Sequence, residues 1–345
     1  MNTTIPLPCA PAEVDWFLSK PAPQLEVLLQ QLPGDFMILG AAGKMGLHVG
    51  LMLRRALDAI GDKRRVWAVS RFRSAGTVDL FERAGIRTIK CDLTDDSELR
   101  QLAPVPNVIF MAGAKFGTAQ QPDLLRAMNV EMPPRVAQHF SDSRLTAFST
   151  GCVYPYYPTD TDGPDEDVAC EPVGTYARSC VGREAAFLEV ARSYGTPVSL
   201  IRLNYAVEFR YGVPVDLARQ MLAGKPIDLT MGHVNLIWQR DAVLQSLLAH
   251  GEANPAGFII NITRPEVLSV RELAEQLGAL LGCEPRFEGS EAATAWISNP
   301  AKACRLFGEP ETSVEQILHY VAAWQQHQLP TLNKPTGFEK RDGNF

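Results

Sequence analysis

The chain has 345 residues, enough for one large domain with a smaller lobe or for two closely joined domains. Its 46% hydrophobic and 21% charged residues are typical of a globular protein. The net charge of −6 provides no general attraction for nucleic acid or for an anionic membrane surface.

Seven cysteines are scattered along the chain without a CxxC pair. Their odd number and their spacing argue against a disulfide framework and a structural zinc site, and favour a reducing compartment. The first residues lack the basic and apolar regions of a secretory signal, and no apolar run is long enough to span a bilayer. We therefore expect a cytoplasmic protein without a metal site.

Residues 1–33 contain six prolines and are expected to form an extension with at most two short helices. From residue 34 onward, short apolar strands alternate with segments of helical periodicity. The strands are predicted at residues 36–39, 66–69, 88–90, 108–111, 145–148 and 198–201. This alternation predicts an α/β fold with a Rossmann-type, doubly wound parallel sheet.

Beyond residue 204 the predicted elements are shorter and are interrupted by proline and glycine. A strand is expected at 258–260 and helices at 270–281 and 312–327, after an earlier helix at about 175–194. We expect a dinucleotide-binding domain over 34–204 and a smaller, mainly substrate-binding lobe over 205–330. Some segments of that lobe return to the core, and residues 331–345 form a loose tail.

The first predicted strand runs into the glycine loop GAAGKMG, residues 40–46, and then into a helical pattern. Gly40 makes the tight turn, Gly43 lets backbone N–H groups approach a pyrophosphate, and Gly46 lets the helix pack on the strand. Such a triplet alone is a weak signal. At the first strand–helix junction it predicts a dinucleotide cofactor, with Lys44 and Met45 beside it.

The end of the second strand is informative about the cofactor's ribose. A site selective for NAD carries an acidic residue there, but this chain has Ser70, Arg71 and Arg73. A hydroxyl and two guanidinium groups suit a 2′-phosphate, which Arg binds with two hydrogen bonds. NADP is therefore expected in preference to NAD, unless both arginines simply face solvent.

Further motifs follow the glycine loop in order. They are Asp92-Leu93, MAGAK at 111–115, Asn129-Val130, FSTGCVY at 148–154, RLN at 202–204, WQRD at 238–241 and INIT at 260–263. Over residues 35–327 the chain resembles an extended short-chain dehydrogenase/reductase of the sugar-nucleotide epimerase/dehydratase group. The resemblance implies that Asp92 and Leu93 contact the adenine. It also places Ala112, Gly113, Lys115 and Asn129 beside the cofactor.

The catalytic motif of that family, Tyr-x-x-x-Lys, is altered here. The resemblance implies that Tyr176 moves a proton at the reacting oxygen and that Thr150 positions the substrate oxygen. Cys180 stands where the family has the lysine that holds the nicotinamide ribose and lowers the tyrosine pKa. Without it, a tyrosine of pKa about 10 is only about 0.1% phenolate at pH 7. The loss costs roughly 3–4 kcal/mol in available base, which harms alcohol oxidation more than carbonyl reduction.

Three compensations are open. Lys115, on the loop after the fourth strand, could supply the missing charge. Arg183 could supply it from the helical face that it shares with Tyr176 and Cys180. Cys180 could instead act as a nucleophile or redox thiol, together with Cys152. The fourth alternative is that nothing compensates.

The reaction and substrate are only partly constrained. The dehydratase branch of the family carries an Asp-Glu pair after the catalytic threonine, and this chain has Gly151-Cys152 there, so dehydration is not expected. Asn204, Arg210 and Arg264 are candidates for the substrate cleft because of the resemblance. His233 is a candidate because its stretch is rich in turns.

Two functions are therefore weighed. The first is an NAD(P)-dependent oxidoreductase or epimerase that acts on a sugar, sugar acid or sugar nucleotide through hydride transfer with a tyrosine/threonine proton relay. The alternative is a dinucleotide-binding sensor or assembly protein that has lost hydride transfer. The expected partners are a small-molecule carbohydrate and a second copy of the chain in a homodimer. Neither nucleic acid nor a membrane is expected.

Overall fold

The computed structural model describes residues 7–114 and 121–343. Seven strands form one sheet: β1 (Phe36–Leu39), β2 (Val66–Ser70), β3 (Arg87–Lys90), β4 (Asn107–Phe110), β5 (Arg144–Thr150), β6 (Val198–Leu203) and β7 (Phe258–Ile262). All neighbouring strands are parallel, in the order β7-β6-β5-β4-β1-β2-β3. The predicted doubly wound α/β sheet is confirmed. Its order reverses between β1 and β4, where open sheets of this kind bind ligands.

Helices and short strands complete the described part of the chain. The helices are α1 (Pro11–Leu18), α2 (Pro23–Gln31), α3 (Gly46–Ala59), α4 (Ala75–Arg83), α5 (Asp96–Leu99), α6 (Pro122–Arg126), α7 (Met132–His139), α8 (Gly174–Tyr194), α9 (Val213–Leu222), α10 (Gln239–Gly251), α11 (Val270–Leu281), α12 (Ala301–Phe307) and α13 (Val314–Gln326). Two-residue strands pair Tyr157–Pro158 with Thr294–Ala295, Ala206–Val207 with Ile237–Trp238, Ile227–Asp228 with Phe287–Glu288, and His233–Val234 with Leu268–Ser269. None of these helices is both long and apolar enough to cross a bilayer.

The central strands are covered on both faces, which explains why β1 and β4 are mainly apolar. Every residue of β1 and β4 is buried. Ile38 enters a core shared with α2, α3 and α10, and Met37 enters one shared with α7 and α8. The second lobe has its own core, built mainly from α9, α11 and α13.

The N-terminal extension, described from residue 7, forms α1 and α2. Each begins with proline in its first turn, where no backbone N–H is needed for a helical hydrogen bond. Val14 and Leu18 of α1 pack in the core of the second lobe, whereas Leu25 and Leu29 of α2 pack in the core of the sheet. The extension is therefore part of both cores.

The C-terminal residues 331–343, for which the sequence suggests a loose tail, are anchored to the second lobe by a few buried side chains. Thr336 and Phe338 are each only 1% exposed. Phe338 lies in the core of the second lobe. The backbone N–H and the hydroxyl of Thr336 both donate to Asp216 Oδ2, at 2.7 Å each. This segment is rich in proline, glycine and charged residues, so its composition does not indicate which few side chains are buried.

Candidate active site

The turn between β1 and α3 requires its glycines. Gly40 has φ +84°, and a Cβ added to it would lie 2.6 Å from the backbone nitrogen of Ala112 at the end of β4. A Cβ on Gly46 would lie 2.3 Å from the carbonyl oxygen of Ala41. The turn is therefore pressed against β4, which places its N–H groups at the edge of the sheet where β1 and β4 diverge.

A cavity of about 340 Å³ opens at this edge. Its walls come from the ends of β1 to β4. The predicted cofactor residues that line it are Gly40, Gly43, Ser70, Arg71, Arg73, Asp92, Leu93, Ala112 and Gly113. Arg71 Nη1 lies 3.9 Å from Asp92 Oδ2, and the side chain of Arg73 is exposed. Ser70 and both arginines thus face the same space as Asp92.

A second cavity, of about 220 Å³, adjoins the first. It shares Gly40, Gly43 and Gly113 with the first cavity and adds Tyr176 and Arg183 from α8. Lys44, Met45 and Gly46 of the glycine loop also line it. The two cavities form one groove that runs from the ends of β2 and β3 to the helix that carries Tyr176.

A third cavity, of about 250 Å³, continues from Tyr176 toward the second lobe. Thr150 and Asn204 lie in its wall. Lys44 and Tyr176 line both this cavity and the second one. Thr150 Oγ1 accepts a hydrogen bond from Cys152 N–H at 3.2 Å. The structure therefore brings Thr150, Tyr176 and the glycine loop together at one place.

Tyr176 and Cys180 are one helical turn apart, and the tyrosine hydroxyl is hydrogen-bonded to the cysteine sulfur. Burial raises the pKa of Tyr176 well above its usual value, and Cys180 adds to this effect while Arg183 opposes it. Burial likewise raises the pKa of Cys180, whose side chain is fully enclosed beside Val153 and Tyr154. A buried thiol of raised pKa is poorly suited to act as a nucleophile.

Arg183 lies one further turn along α8 and is 7% exposed. Its Nη1 donates to the carbonyl oxygen of Phe148 at 3.1 Å, and a Cβ on Gly113 would lie 2.4 Å from its Nη2. Its Nε has no hydrogen-bond partner among the described residues. The guanidinium thus lies beside Tyr176 in the second cavity and packs against the segment that follows β4. Its Nε–H is a donor that remains available.

A buried polar network fixes α8 on the sheet. Glu184 Oε2 pairs with Arg202 Nη2 at 2.8 Å, and both residues are 4% exposed. Arg202 Nη1 donates to the hydroxyl of Tyr154 at 2.8 Å, and that hydroxyl donates to Asn261 Oδ1 at 2.8 Å. Ser149 Oγ also donates to Glu184, at 2.5 Å. Because Glu184 is engaged with Arg202, it does not draw Arg183 away from the cavity.

The side chains of two residues predicted beside the cofactor, Lys44 and Asn129, have partners within the protein. Lys44 reaches toward the second lobe, where its Nζ donates to the carbonyl oxygen of Ala206 at 3.0 Å and lies 3.6 Å from the centre of the Tyr211 ring. Asn129 is fully buried and lines none of the three cavities. It hydrogen-bonds the backbone of Ala114 through both side-chain atoms, at 2.8 Å each, and thereby positions the end of β4.

Three residues predicted for the substrate cleft do not line the third cavity. Arg210 Nε pairs with Glu208 at 3.1 Å, because the fully buried carboxylate needs a cation. Arg264 pairs with Glu266 and donates to the carbonyl oxygens before α13. His233 belongs to a short antiparallel strand pair. Lys115 lies outside the described residues.

Other lining residues have no motif that marks them. Phe72, Ser74 and Thr77 also line the first cavity, and Tyr205, Tyr211 and Thr336 also line the third. Tyr205 has φ +28°, an unusual value for a side chain of this size, and lies directly after the RLN motif. Proximity to that motif is the one signal that could have identified it. Thr336 comes from the far end of the chain.

No protein of curated function matches the chain. Several solved structures are similar to it. WbmG of Bordetella bronchiseptica, in complex with NAD, has a TM-score of 0.70 at 20% identity, over 88% of this chain and 97% of that chain. UDP-glucose 4-epimerase of Thermus thermophilus, also with NAD, has 0.69 at 18%, over 85% and 99%. MoeE5, in complex with UDP-glucose and NAD, has 0.68 at 20%, over 85% and 99%.

At these identities the similarity shows a common fold. The sequence itself is more specific, because residues 36–262 match the model of one family. That range begins at β1 and ends with β7, so it contains the glycine loop, Thr150, Tyr176 and all seven strands of the sheet. The chain belongs to the NAD dependent epimerase/dehydratase family.

Proposed function

We propose that the chain is an NAD(P)-dependent epimerase or oxidoreductase that acts on a sugar, sugar acid or sugar nucleotide. The observation that carries this proposal is the position of Tyr176. It lines both the cavity of the glycine loop and the cavity that contains Thr150. A proton donor at the junction of a cofactor groove and a substrate cavity suits hydride transfer to or from a carbon that bears oxygen.

The groove fits a dinucleotide. The turn at Gly40 and Gly46 leaves no room for a Cβ, and Arg183 presents an unused Nε donor in a buried position. The glycine loop would hold the pyrophosphate, and Asp92 and Leu93 would line the adenosine end of the groove. When bound, the nicotinamide would accept or deliver the hydride.

NADP is the cofactor that we favour. The named solved relatives contain NAD, so this preference depends on the residues of this chain alone. Arg71 and Arg73 line the first cavity at the end of β2, without an acidic residue on that strand end. Asp92, 3.9 Å from Arg71, supplies a negative charge that a 2′-phosphate would have to compete with.

Tyr176 is suited to donate a proton. Since its pKa lies above the usual value of about 10, the phenol is protonated throughout the neutral range. It can therefore protonate the oxygen of a carbonyl as that carbonyl is reduced. Thr150 accepts a hydrogen bond from Cys152 N–H, so its hydroxyl proton can be directed at the same substrate oxygen. Oxidation needs the phenolate, so its rate should rise with pH through neutrality.

Arg183 is the residue that we assign to the missing lysine's role. It occupies the same cavity as Tyr176 and opposes the rise in the tyrosine pKa. Cys180 is buried as a thiol and is assigned no chemical step.

One observation favours the alternative of a dinucleotide-binding sensor or assembly protein. The hydroxyl of Tyr176 is hydrogen-bonded to Cys180, so the proton relay has a partner within the helix itself. To transfer a proton, the Tyr176 hydroxyl must exchange its hydrogen bond to Cys180 for one to the substrate.

The test is turnover with a panel of aldoses, ketoses, sugar acids and UDP-linked sugars. Nicotinamide absorbance follows oxidation or reduction, and nuclear magnetic resonance follows the interchange of epimers. We expect Tyr176→Phe to lower turnover by about 10²-fold or more while cofactor affinity is kept. Tyr194→Phe, at an exposed position on the same helix, is the control. Unchanged turnover in Tyr176→Phe would refute the relay, and cofactor binding without any turnover would favour the alternative.

A further inference from the structure

A further cavity lies beside the N-terminal extension and is called the α1 cavity below. It measures about 600 Å³, which is more than each of the three cavities of the candidate active site. Its walls come from residues 7–20, from α3, from the residues around the start of α10, and from α13 with the segment before it. None of the residues that line it also lines one of the other three cavities. The proposed reaction therefore leaves the α1 cavity without a role.

Most of this wall lies outside the part of the chain that matches the family model. Of the lining residues, Arg55, Trp238 and Arg240 fall within residues 36–262, and the others belong to the extension or to residues 311–320. The extension is held in place by its buried side chains in the cores of both lobes. The α1 cavity is therefore a built feature of this chain for which the family match does not account.

Aromatic rings form much of the inner surface. Phe17 of α1 meets Tyr320 of α13 edge to face, with the ring centres 5.7 Å apart. The ring of Trp238, a residue only 1% exposed, lies 5.2 Å from the ring of the same tyrosine. Trp16 extends this lining toward solvent, since it is 67% exposed. A cavity with aromatic walls and an aromatic edge suits a ligand with a flat apolar body.

Arg55 brings a positive charge into this aromatic surface. Its guanidinium stacks on Trp16, 3.5 Å from the centre of the ring. Its Nη1 donates to the carbonyl oxygen of Trp16 at 2.6 Å and to Ser19 Oγ at 3.0 Å. Its Nε and Nη2 have no hydrogen-bond partner among the described residues, and none of their carboxylates pairs with it. Burial lowers the pKa of Arg55 because no opposite charge offsets the loss of water, and a bound anion would supply that charge.

The other charged residues of the wall leave an excess of positive charge. Arg240 is neutralised by Glu311, whose Oε2 lies 2.7 Å from the arginine Nη1. Glu13 Oε2 accepts a hydrogen bond from the backbone N–H of Cys9 at 2.7 Å. Lys20 is exposed and has no acidic partner in the described part of the chain. Its ammonium therefore joins the stacked guanidinium as a cation with which an anion can pair.

We propose that the α1 cavity binds a small organic anion whose body is flat and aromatic, such as an aromatic carboxylate. The rings of Phe17, Trp238 and Tyr320 would hold the body, and Arg55 and Lys20 would hold the carboxylate. The half-buried position of Arg55 favours a small molecule over a protein surface, because the carboxylate must enter the cavity to reach the guanidinium. The proposal is independent of the proposed function, since the α1 cavity and the candidate active site have no lining residue in common.

Calorimetry with three ligands of similar shape tests this proposal. They are 2-naphthoate, the neutral 2-naphthylmethanol and the cationic 2-naphthylmethylammonium, and each is added to the full chain with and without saturating NADPH. We expect 2-naphthoate to bind in both conditions, the alcohol to bind at least about tenfold more weakly, and the ammonium to bind least. NADPH should leave these affinities unchanged, because the dinucleotide groove is a separate site.

Two variants locate the ligand in the cavity. Trp16→Ala should weaken the binding of both 2-naphthoate and the alcohol by about tenfold, because the ring that forms the edge is lost. Arg55→Gln should remove most of the preference for the acid over the alcohol, which a loosened α1 alone would not do. Tyr194→Ala and Arg83→Gln remove an exposed ring and an exposed guanidinium elsewhere, so both should bind like the intact chain.

Cysteine labelling provides an independent readout. Cys9 is exposed and lines the α1 cavity, so 2-naphthoate should slow its reaction with N-ethylmaleimide several-fold. Cys283 does not line this cavity and should react at the same rate with and without the ligand. Mass spectrometry of the labelled peptides measures both rates.

The proposal is wrong if 2-naphthoate does not bind at millimolar concentration, or if NADPH displaces it, since displacement would place it in the dinucleotide groove. Equal affinities for the acid and the alcohol would likewise overturn it, because the two cations would then have no role. A change of oligomeric state in Trp16→Ala, measured by sedimentation, would also contradict it and would make this face a contact between copies of the chain.

Discussion

Arg183 is the side chain that we propose replaces the charge of the family's lysine. Three residues beyond Cys180 on α8, its longer side chain returns to the same helical face and ends against Gly113. An ammonium at position 180 would approach Tyr176 from the adjacent turn. The guanidinium instead approaches from two turns away, and it is held there by the carbonyl oxygen of Phe148.

Arg183→Gln should therefore lower turnover by about 10²-fold, because the charge that favours ionisation of Tyr176 is lost. The pH profile of oxidation should move to higher pH, which a purely structural defect would not cause. Arg183→Lys should recover part of the rate. Arg178→Gln, at an exposed position of α8, is the control. A pH profile that does not move in Arg183→Gln would show that the guanidinium is not coupled to Tyr176.

Cys180→Lys restores the family's Tyr-x-x-x-Lys motif. In this chain, however, we expect it to lower both the stability and the turnover. The thiol is completely buried beside Val153 and Tyr154, so an ammonium there would be desolvated and close to Arg183. We expect a loss of roughly 3–5 kcal/mol in the free energy of unfolding, together with lower turnover. Cys180→Ala should keep most of the turnover. Faster oxidation in a stably folded Cys180→Lys would contradict this account.

Arg71→Ala tests the choice of cofactor. If the guanidinium binds a 2′-phosphate, the KM for NADPH should rise about tenfold while that for NADH changes little. Arg83→Ala, an exposed arginine near the end of α4, is the control. Equal effects on both cofactors would mean that Arg71 does not discriminate between them, and its pairing with Asp92 would then be its main role.

At the scale of elements, the turn between β1 and α3 is set by its contact with the neighbouring strand end. Gly40→Ala would place a methyl group 2.6 Å from the nitrogen of Ala112 and strain a backbone with φ +84°. Cofactor affinity, measured by titration with NADPH, should fall at least tenfold. Gly61→Ala has a similar φ of +71° but open space, so it isolates the backbone strain from the clash. Similar losses in both variants would attribute the effect to backbone strain alone.

The central strands of the sheet are well indicated by sequence because they are buried on both faces and are followed by segments of helical periodicity. The helix α10 is not predicted, because all but its last residue are buried and it lacks the polar face that makes a helix recognisable. Within the site, residues at strand ends could be predicted, since parallel strands bring their carboxyl ends to one edge. Thr150 and Tyr176 were located through the family resemblance.

At the scale of the molecule, the N-terminal extension holds the two lobes together. Leu18 is fully buried in the core of the second lobe, so Leu18→Ala should lower the free energy of unfolding by about 2–5 kcal/mol. Val27→Ala, at a position 54% exposed on α2, should change it by less than about 0.5 kcal/mol. Chemical denaturation measures both. An equal, small effect would mean that α1 adds little to that core.

Contacts between distant parts of the chain explain what sequence patterns could not reveal. Arg210 resembles a substrate ligand until the buried Glu208 and Asp15 of the extension are seen beside it. Thr336 lies in a segment whose composition suggests a loose tail. Its two hydrogen bonds to Asp216 nevertheless hold it at the wall of the third cavity. In both cases a partner of the side chain lies far away in the sequence, so the contact can be seen only in the folded structure.

The buried network around Arg202 and Glu184 has a consequence for how this protein could diversify. It holds α8 on the sheet, so we expect the part of the site that carries Tyr176 to tolerate little change. Among residues 331–343, Thr336 lines the third cavity and Phe338 enters the core of the second lobe. Substitutions in this C-terminal segment could thus change the substrate, while the residues around Tyr176 stay the same.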